Sequence, residues 1–182
     1  VREEVVKACE RTRRAFGRID GVFHSAGTVR DGLLLDKDLE QAAVVVAAKV
    51  CGARWLDEAT SQDELACFVA YSSTSALTGN LAQSDYAYAN SALDAFIVER
   101  DAQRQQGARR GHSLSINWPL WREGGMQVPA VTLSTLARKH GIRPLETAAG
   151  FEVLERALGM DLAQVAIFSG DGARLRANLL SV

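Results

Sequence analysis

Residues 69–96, VAYSSTSALTGNLAQSDYAYANSALDAF, leave a chain few ways to fold. An apolar run closes on Ser72 and Ser73, a loop holding Gly79 and Asn80 follows, and a helical pattern carrying Tyr86 and Asn90 comes next. A strand that delivers hydroxyls into a loop, then a long helix, is half of a βαβ unit. The same alternation recurs along the chain. Residues 2–16 read as a helix with Val5, Val6, Cys9 and Phe16 facing inward, ended by Gly17. Ile19–His24 reads as a strand, 37–59 as one long helix, Leu65–Ala70 as a strand, and 84–105 as the helix bearing Tyr86. His112–Trp118 reads as a strand, Leu133–His140 and Glu146–Leu158 as helices, and Val165–Ser169 as a last strand before a polar tail. Strands alternating with helices of this length imply a parallel sheet in an α/β, Rossmann-like three-layer αβα fold. In such sheets ligands bind beyond the carboxyl ends of the strands. Ser25–Gly27, Ser72–Ser73 and Asn117–Trp121 each follow a strand, which points to one site.

The totals narrow the function classes. With 182 residues, 47% of them hydrophobic, the chain suits one soluble globular domain, residues 1–182. A formal net charge of −1 gives no reason to expect nucleic acid or a membrane surface as partner. Cys9, Cys51 and Cys67 lack CxxC spacing and read as reduced thiols of a cytoplasmic protein. His24, His112 and His140 are dispersed, so no metal site is expected. No run is long and apolar enough to span a bilayer as a helix.

Two hydroxyls and an amide gathered near one point suit a carbonyl oxygen: one donor polarises it and another protonates it. Lys49 sits in the apolar middle of the 37–59 pattern, where Val44 to Val50 should be well buried. An amine there is expensive unless it reaches a polar cleft, the alternative being a stem that snorkels to the surface. Residues 119–131, PLWREGGMQVPAV, hold two prolines and a Gly-Gly pair and read as a mobile lid.

At these residues the chain resembles the ketoreductase domain of modular polyketide synthases, within the short-chain dehydrogenase/reductase superfamily. GVFHSAGTVRDGLL, AAKVCGARWLDEAT, FVAYSSTSALTGNLAQSDYAYANSALDAF and SINWPLWREGGM carry the likeness almost end to end. PLW-EGGM and the RDG loop are similar to ketoreductases of synthases fed by separate acyltransferases. Lys49, Ser73, Tyr86 and Asn90 are spaced by 24, 13 and 4 positions, which resembles the family's Lys–Ser–Tyr–Asn tetrad. In most other short-chain dehydrogenases Lys and Asn hold the opposite positions.

The resemblance implies the roles. Tyr86 would be the general acid, a contribution of about 10²–10⁴-fold. Ser73 would bond the same oxygen, Lys49 would lower the phenol pKa and hold a ribose, and Asn90 would orient Lys49 or a water. The implied cofactor is NADPH, bound by His24, Ser25, Ala26, Gly27, Lys49, Tyr86, Pro119 and Leu120. The implied substrate is a 3-ketoacyl chain on an acyl carrier protein, with other polyketide synthase domains as partners. Asp31, Trp121, Gly125 and Met126 are the implied substrate and stereocontrol residues. Asp31 matches the last residue of the B-type Leu-Asp-Asp motif, Val29 and Arg30 depart from it, and Thr78 stands where A-type members carry Trp. That pattern resembles the B-type, which yields a D-configured hydroxyl; the plainer reading of Asp31 is a turn cap.

No glycine-rich dinucleotide turn opens the sequence, which therefore reads as the catalytic part of something longer. On that reading the strand at 19–24 is an apolar sheet edge, and the 182-residue chain alone should be marginally stable and bind NADPH poorly. Native-like affinity in a cofactor titration would contradict this. A cofactor-free structural fragment and a generic short-chain alcohol dehydrogenase stay open as alternatives; the second expects Lys at position 90.

Overall fold

A computed structural model describes residues 1–126 and 128–179. The chain divides into two compact units. The first comprises residues 1–117 and 161–165, and the second comprises 118–160 with 166 onward.

In the first unit, α1 (Arg2–Phe16) leads into β1 (Gly21–His24). Cys9 of α1 is buried, but Phe16 is 80% exposed and Val6 also faces solvent. Phe16 is the last residue before the chain turns at Gly17, whose φ of 85° suits glycine, so it has no neighbouring turn to pack beneath. β1 pairs in parallel with β2 (Cys67–Ser73), with Gly21 opposite Cys67 and His24 opposite Ala70. β2 therefore runs on through both serines. β3 (His112–Trp118) and β4 (Gln164–Ala166) complete a parallel sheet ordered β1-β2-β3-β4 and flanked by helices. β1 is an edge of this sheet, and its Phe23 is half exposed.

The expected single helix over 37–59 is three pieces: α2 (Leu39–Val46), a π-helical turn (Ala47–Cys51) and α3 (Gly52–Ala59). Asp38 caps α2 by accepting from the Glu40 amide at 2.8 Å. The extra residue of a π turn re-aims the side chains it carries. Lys49 of this turn and Val45 of α2 are buried, whereas Val44 is 53% exposed, so the apolar middle is not buried all round. A short helix α4 (Ser75–Thr78) precedes α5 (Ser84–Gln105). Phe68, Ala70, Leu93 and Ile97 join Cys9, Val22 and Ala53 in the main core, and Val45, Tyr86 and Ala89 form a second cluster.

β3 explains how a strand can be polar and still central. Leu114 and Ile116 alternate with Ser113, Ser115 and Asn117, and all five are fully buried. The pleat sends the two sets to opposite faces. The polar set meets polar partners on α5, described below.

In the second unit, α6 (Ala130–His140), α7 (Thr147–Leu158) and α8 (Gly172–Leu179) are the helices. The expected polar tail is thus a helix from Gly172. Asp171 supplies the start signal by accepting from the amides of Ala173 and Arg174 at 3.1 and 3.2 Å. β4 is correspondingly shorter than the Val165–Ser169 strand the sequence suggested. Trp121 bridges to Leu145, and the Trp121 ring lies so close to Gly150 that a β-carbon there would meet it at 2.2 Å. One residue of the expected 119–131 lid, Gln127, lies outside the described residues.

Candidate active site

The four candidate groups are delivered by three local devices. Ser73 is the last residue of β2, and its Oγ accepts from the Ser75 amide at 3.2 Å and the Ser75 hydroxyl at 3.0 Å. With those lone pairs engaged, what its hydroxyl has left to offer is its own proton, and the Tyr86 phenol lies within its reach. Tyr86 and Asn90 occupy one face of α5, one turn apart. Asn90 is fully buried, and its Nδ2 donates to the Tyr86 carbonyl at 2.8 Å. Its Oδ1 is a buried acceptor with no donor among the described residues.

Lys49 comes from the π-helical turn. Only 4% exposed, it does not snorkel: its Nζ donates to the Tyr71 carbonyl at 2.7 Å and lies 5.7 Å from the Tyr86 ring centre. That is within the range of a cation–π contact. Burial pulls the amine down to a pKa of about 8, and the charge of Asp94 pushes in the opposite direction. Burial likewise raises the Tyr86 phenol above the usual tyrosine range, while the side chains of Asn90 and Ser73 draw it back. A phenol held protonated and beside two hydrogen-bonding partners is suited to giving up a proton during a reaction.

The segment after β1 lies beside this amine. Ser25, Ala26 and Gly27 are exposed. A β-carbon at Gly27 would meet Lys49 Cε at 3.0 Å and Nζ at 3.3 Å, so glycine is what lets the loop pass the amine. His24 points elsewhere. Its ring is buried, takes Nε2 to within 2.8 Å of the Lys49 carbonyl, and lies where a β-carbon at Gly52 would strike it at 2.9 Å. Burial lowers its pKa, so the neutral ring serves as a clamp on the π-helical turn. Small, exposed backbone beside a buried amine suits the ribose of a nicotinamide nucleotide.

Asp31 is exposed and accepts from Gln83 Nε2 at 3.0 Å, so it ties its loop to the residue before α5 rather than capping its own turn. The loop is pinned again by Lys37, which donates to the Arg30 carbonyl and pairs with buried Asp85 at 2.7 Å. Pro119, Leu120, Trp121, Gly125 and Met126 belong to the second unit. There Pro119 is buried, Trp121 stacks at 56° on Trp118 with ring centres 4.9 Å apart, and Gly125 and Met126 are exposed.

Sequence reasoning passed over the polar layer beneath the tetrad. Asp94 lies one further turn along the Tyr86–Asn90 face of α5 and is 5% exposed. Ser115 donates to it at 2.5 Å and Asn117 at 2.7 Å. Asn117 Nδ2 also reaches Ser72 Oγ at 3.0 Å and the Ser73 carbonyl at 3.1 Å, and Gln164 holds Asn117 Oδ1 at 2.9 Å. The signal was present as polar residues at alternate positions of an otherwise apolar strand.

Residues 1–123 match the KR domain family. The chain is a member of the ketoreductase domain family of polyketide synthases. It is 42% identical over 97% of its length to polyketide synthase ThaG of Burkholderia thailandensis and 37% identical over 98% to polyketide synthase PksN of Bacillus subtilis. It spans only 3% of the length of either relative. Among solved structures, a ketoreductase domain from the bacillaene assembly line superposes with a TM-score of 0.95 at 32% identity, covering 98% of this chain and 43% of that one. An N-terminal ketoreductase from the macrolactin assembly line gives 0.86 at 35% identity, covering 98% and 34%. The parallel sheet and flanking helices are thus the Rossmann-like fold of the ketoreductases, which are oxidoreductases of the short-chain dehydrogenase type and use nicotinamide cofactors. No helix among the described residues is long and apolar enough to cross a membrane.

Proposed function

We propose that this chain carries the catalytic residues for NADPH-dependent reduction of a 3-ketoacyl chain, held on an acyl carrier protein, to a 3-hydroxyacyl chain. It would work in the cytoplasm beside other polyketide synthase domains. The observation that carries the reading is the buried cluster itself: a protonated phenol with Asn90 and Ser73 beside it and the Lys49 amine over its ring. The bound nucleotide supplies the hydride. Ser73 donates its hydroxyl proton as a hydrogen bond to the ketone oxygen. Tyr86 transfers its phenolic proton to that oxygen as negative charge develops there. The Lys49 cation stabilises the phenolate left behind, an effect strengthened by the low dielectric around it. Asn90 holds the Tyr86 turn through its carbonyl and keeps Oδ1 for a ligand or a relayed proton.

The same reading extends to stereochemistry. Asp31, held by Gln83, and Thr78 in place of Trp support a D-configured hydroxyl. Assaying a 3-ketoacyl thioester with NADPH, on the chain with its upstream sequence restored, followed by chiral separation of the product, tests both parts. Tyr86→Phe is expected to cost at least about 10²-fold in kcat with the fold retained. Unchanged turnover by that variant would sink the assignment, and an L-configured product would sink the B-type reading.

A further inference from the structure

The loop over residues 30–37 is held in place without burying its own apolar side chains. Leu33, Leu34 and Leu35 are 53%, 74% and 97% exposed, and Leu39 just beyond them also faces solvent. Val29, where the loop begins, packs against the cluster of Val45, Tyr86 and Ala89, which sets the loop beside the phenol-bearing helix. The contacts that tie the rest of it down are polar and converge on residues 82–85. The Gly32 amide donates to the Ala82 carbonyl at 2.9 Å, Gln83 Nε2 donates to Asp31 at 3.0 Å, and Lys37 pairs with Asp85 at 2.7 Å. Ala82 has a φ of 63°, a left-handed conformation that a residue with a β-carbon keeps only when its surroundings hold it there.

The Lys37–Asp85 pair is the feature that stability alone does not explain. Its side chains are only 8% and 4% exposed, and apolar side chains of like size often do as well as a buried ion pair or better. What such a pair does supply is register. The Lys37 amine also donates to the Arg30 carbonyl, and Asp85 Oδ1 also accepts from the Tyr86 amide at 2.9 Å. One amine and one carboxylate thus connect the backbone next to Asp31 with the backbone of Tyr86. We propose that Lys37 and Asp85 are positioning residues for facial selectivity: their pairing fixes the Asp31 loop relative to Tyr86 and so decides which face of the ketone meets the hydride. Two hydroxyl donors on one oxygen leave a ketone free to turn over about its C=O axis, which exchanges its faces. A wall fixed beside the phenol removes that freedom.

The inference rests on the reductase reading, and its test separates the two. The protein is the chain with its upstream sequence restored, given NADPH and a 3-ketoacyl thioester, and the reading is the ratio of major to minor hydroxyl product. Lys37→Met removes the cation, and Asp85→Asn removes the charge while keeping an oxygen for the Tyr86 amide. Either should lower the ratio about tenfold or more. The double variant buries no unpaired charge, so it serves where a single one does not fold, and its ratio should fall no further than that of either single. Arg100→Met loosens the fold away from this loop and should keep the wild-type ratio. Hydrogen exchange at the Gly32 amide needs no turnover: it should quicken about tenfold or more in Lys37→Met and Asp85→Asn, and not in Arg100→Met, because an exposed loop opens locally. A ratio unmoved by breaking the pair, or lowered equally by Arg100→Met, overturns the proposal. If the wild-type protein reduces no ketoacyl thioester, the reductase reading fails and exchange decides: faster exchange at Gly32 upholds the pair as the device that positions the loop, and unchanged exchange overturns it.

Discussion

Two stretches of α5, one about Asp94 in mid-helix and one about Arg100 nearer its C-terminus, each press a buried charge against β3, and they are built differently. In the second stretch Arg100, 2% exposed, is saturated: it meets Asp57 at 2.8 Å, Ser113 at 2.6 Å and the carbonyls of Arg110 and Gly111, and it stacks on Phe68 at 4.4 Å. Arg109 adds a second cation to Asp57 at 3.0 Å. In the first stretch Asp94 has two neutral partners, Asn90 keeps an unmatched oxygen, and Lys49 is held well below its ordinary pKa. A cluster whose donors and acceptors all match is a joint. One that retains unspent hydrogen-bonding capacity and a strained ionisation has capacity left for a substrate.

Breaking the saturated stretch should show it to be structural only. Arg100→Met removes the buried cation, leaves Asp57 to Arg109 alone and deprives Ser113 and the carbonyls of Arg110 and Gly111 of their donor, which is expected to cost about 3 kcal/mol of stability. At temperatures where the variant is folded, kcat should match the wild type. A drop in kcat without a drop in the denaturation midpoint would erase the distinction between the two stretches.

Lys49 sharpens the comparison through pH. Its folded pKa of about 8 lies below the ordinary 10.5. Below pH 8 both states hold the proton and the folded protein bears the full cost of the buried charge. Between pH 8 and 10.5 the unfolded chain holds more protons, so stability attributable to this group rises with pH. The stability of wild type minus that of Lys49→Met should therefore increase by up to about 3 kcal/mol across that window. Other titrations cancel in the difference. Denaturant melts at several pH values check it; a flat difference would mean the amine pays no burial cost. The variant should also be inactive, trading function for stability at neutral pH.

How legible was this in the sequence? The 2–16, 84–105 and 112–118 elements were readable to the residue, because each is strongly periodic and bounded by glycine or a polar turn. The placement of Ser73 at a strand end and of Tyr86 and Asn90 on one helix face was readable from local pattern, whereas grouping them with Lys49 came from the family resemblance. The π-helical turn under Lys49 was not, since inserting one residue leaves no compositional trace; it is settled by the packing of His24 against Gly52. Phe16 and Val44 misled because an apolar residue at a helix end or on an outer face carries the same periodic signal as a core residue. The helix from Gly172 read as a polar tail, and the cap that starts it, Asp171, is a single residue. Asp94 was passed over for a different reason: its partners lie on a strand more than twenty residues later in the chain.

The smallest effect tests whether burial, rather than distance, separates the two kinds of ion pair. Arg110 meets Glu64 at 2.6 Å, closer than Arg100 meets Asp57, yet its side chains are 63% and 74% exposed. Short range in water gains little Coulomb energy, and ordering two long side chains offsets much of it. Glu64→Gln is thus expected to shift stability by less than about 0.5 kcal/mol, and less still at high salt, where exposed charges are screened. Equal losses from Glu64→Gln and Arg100→Met would mean that contact distance governs both pairs, and the saturated joint of α5 would lose its special standing.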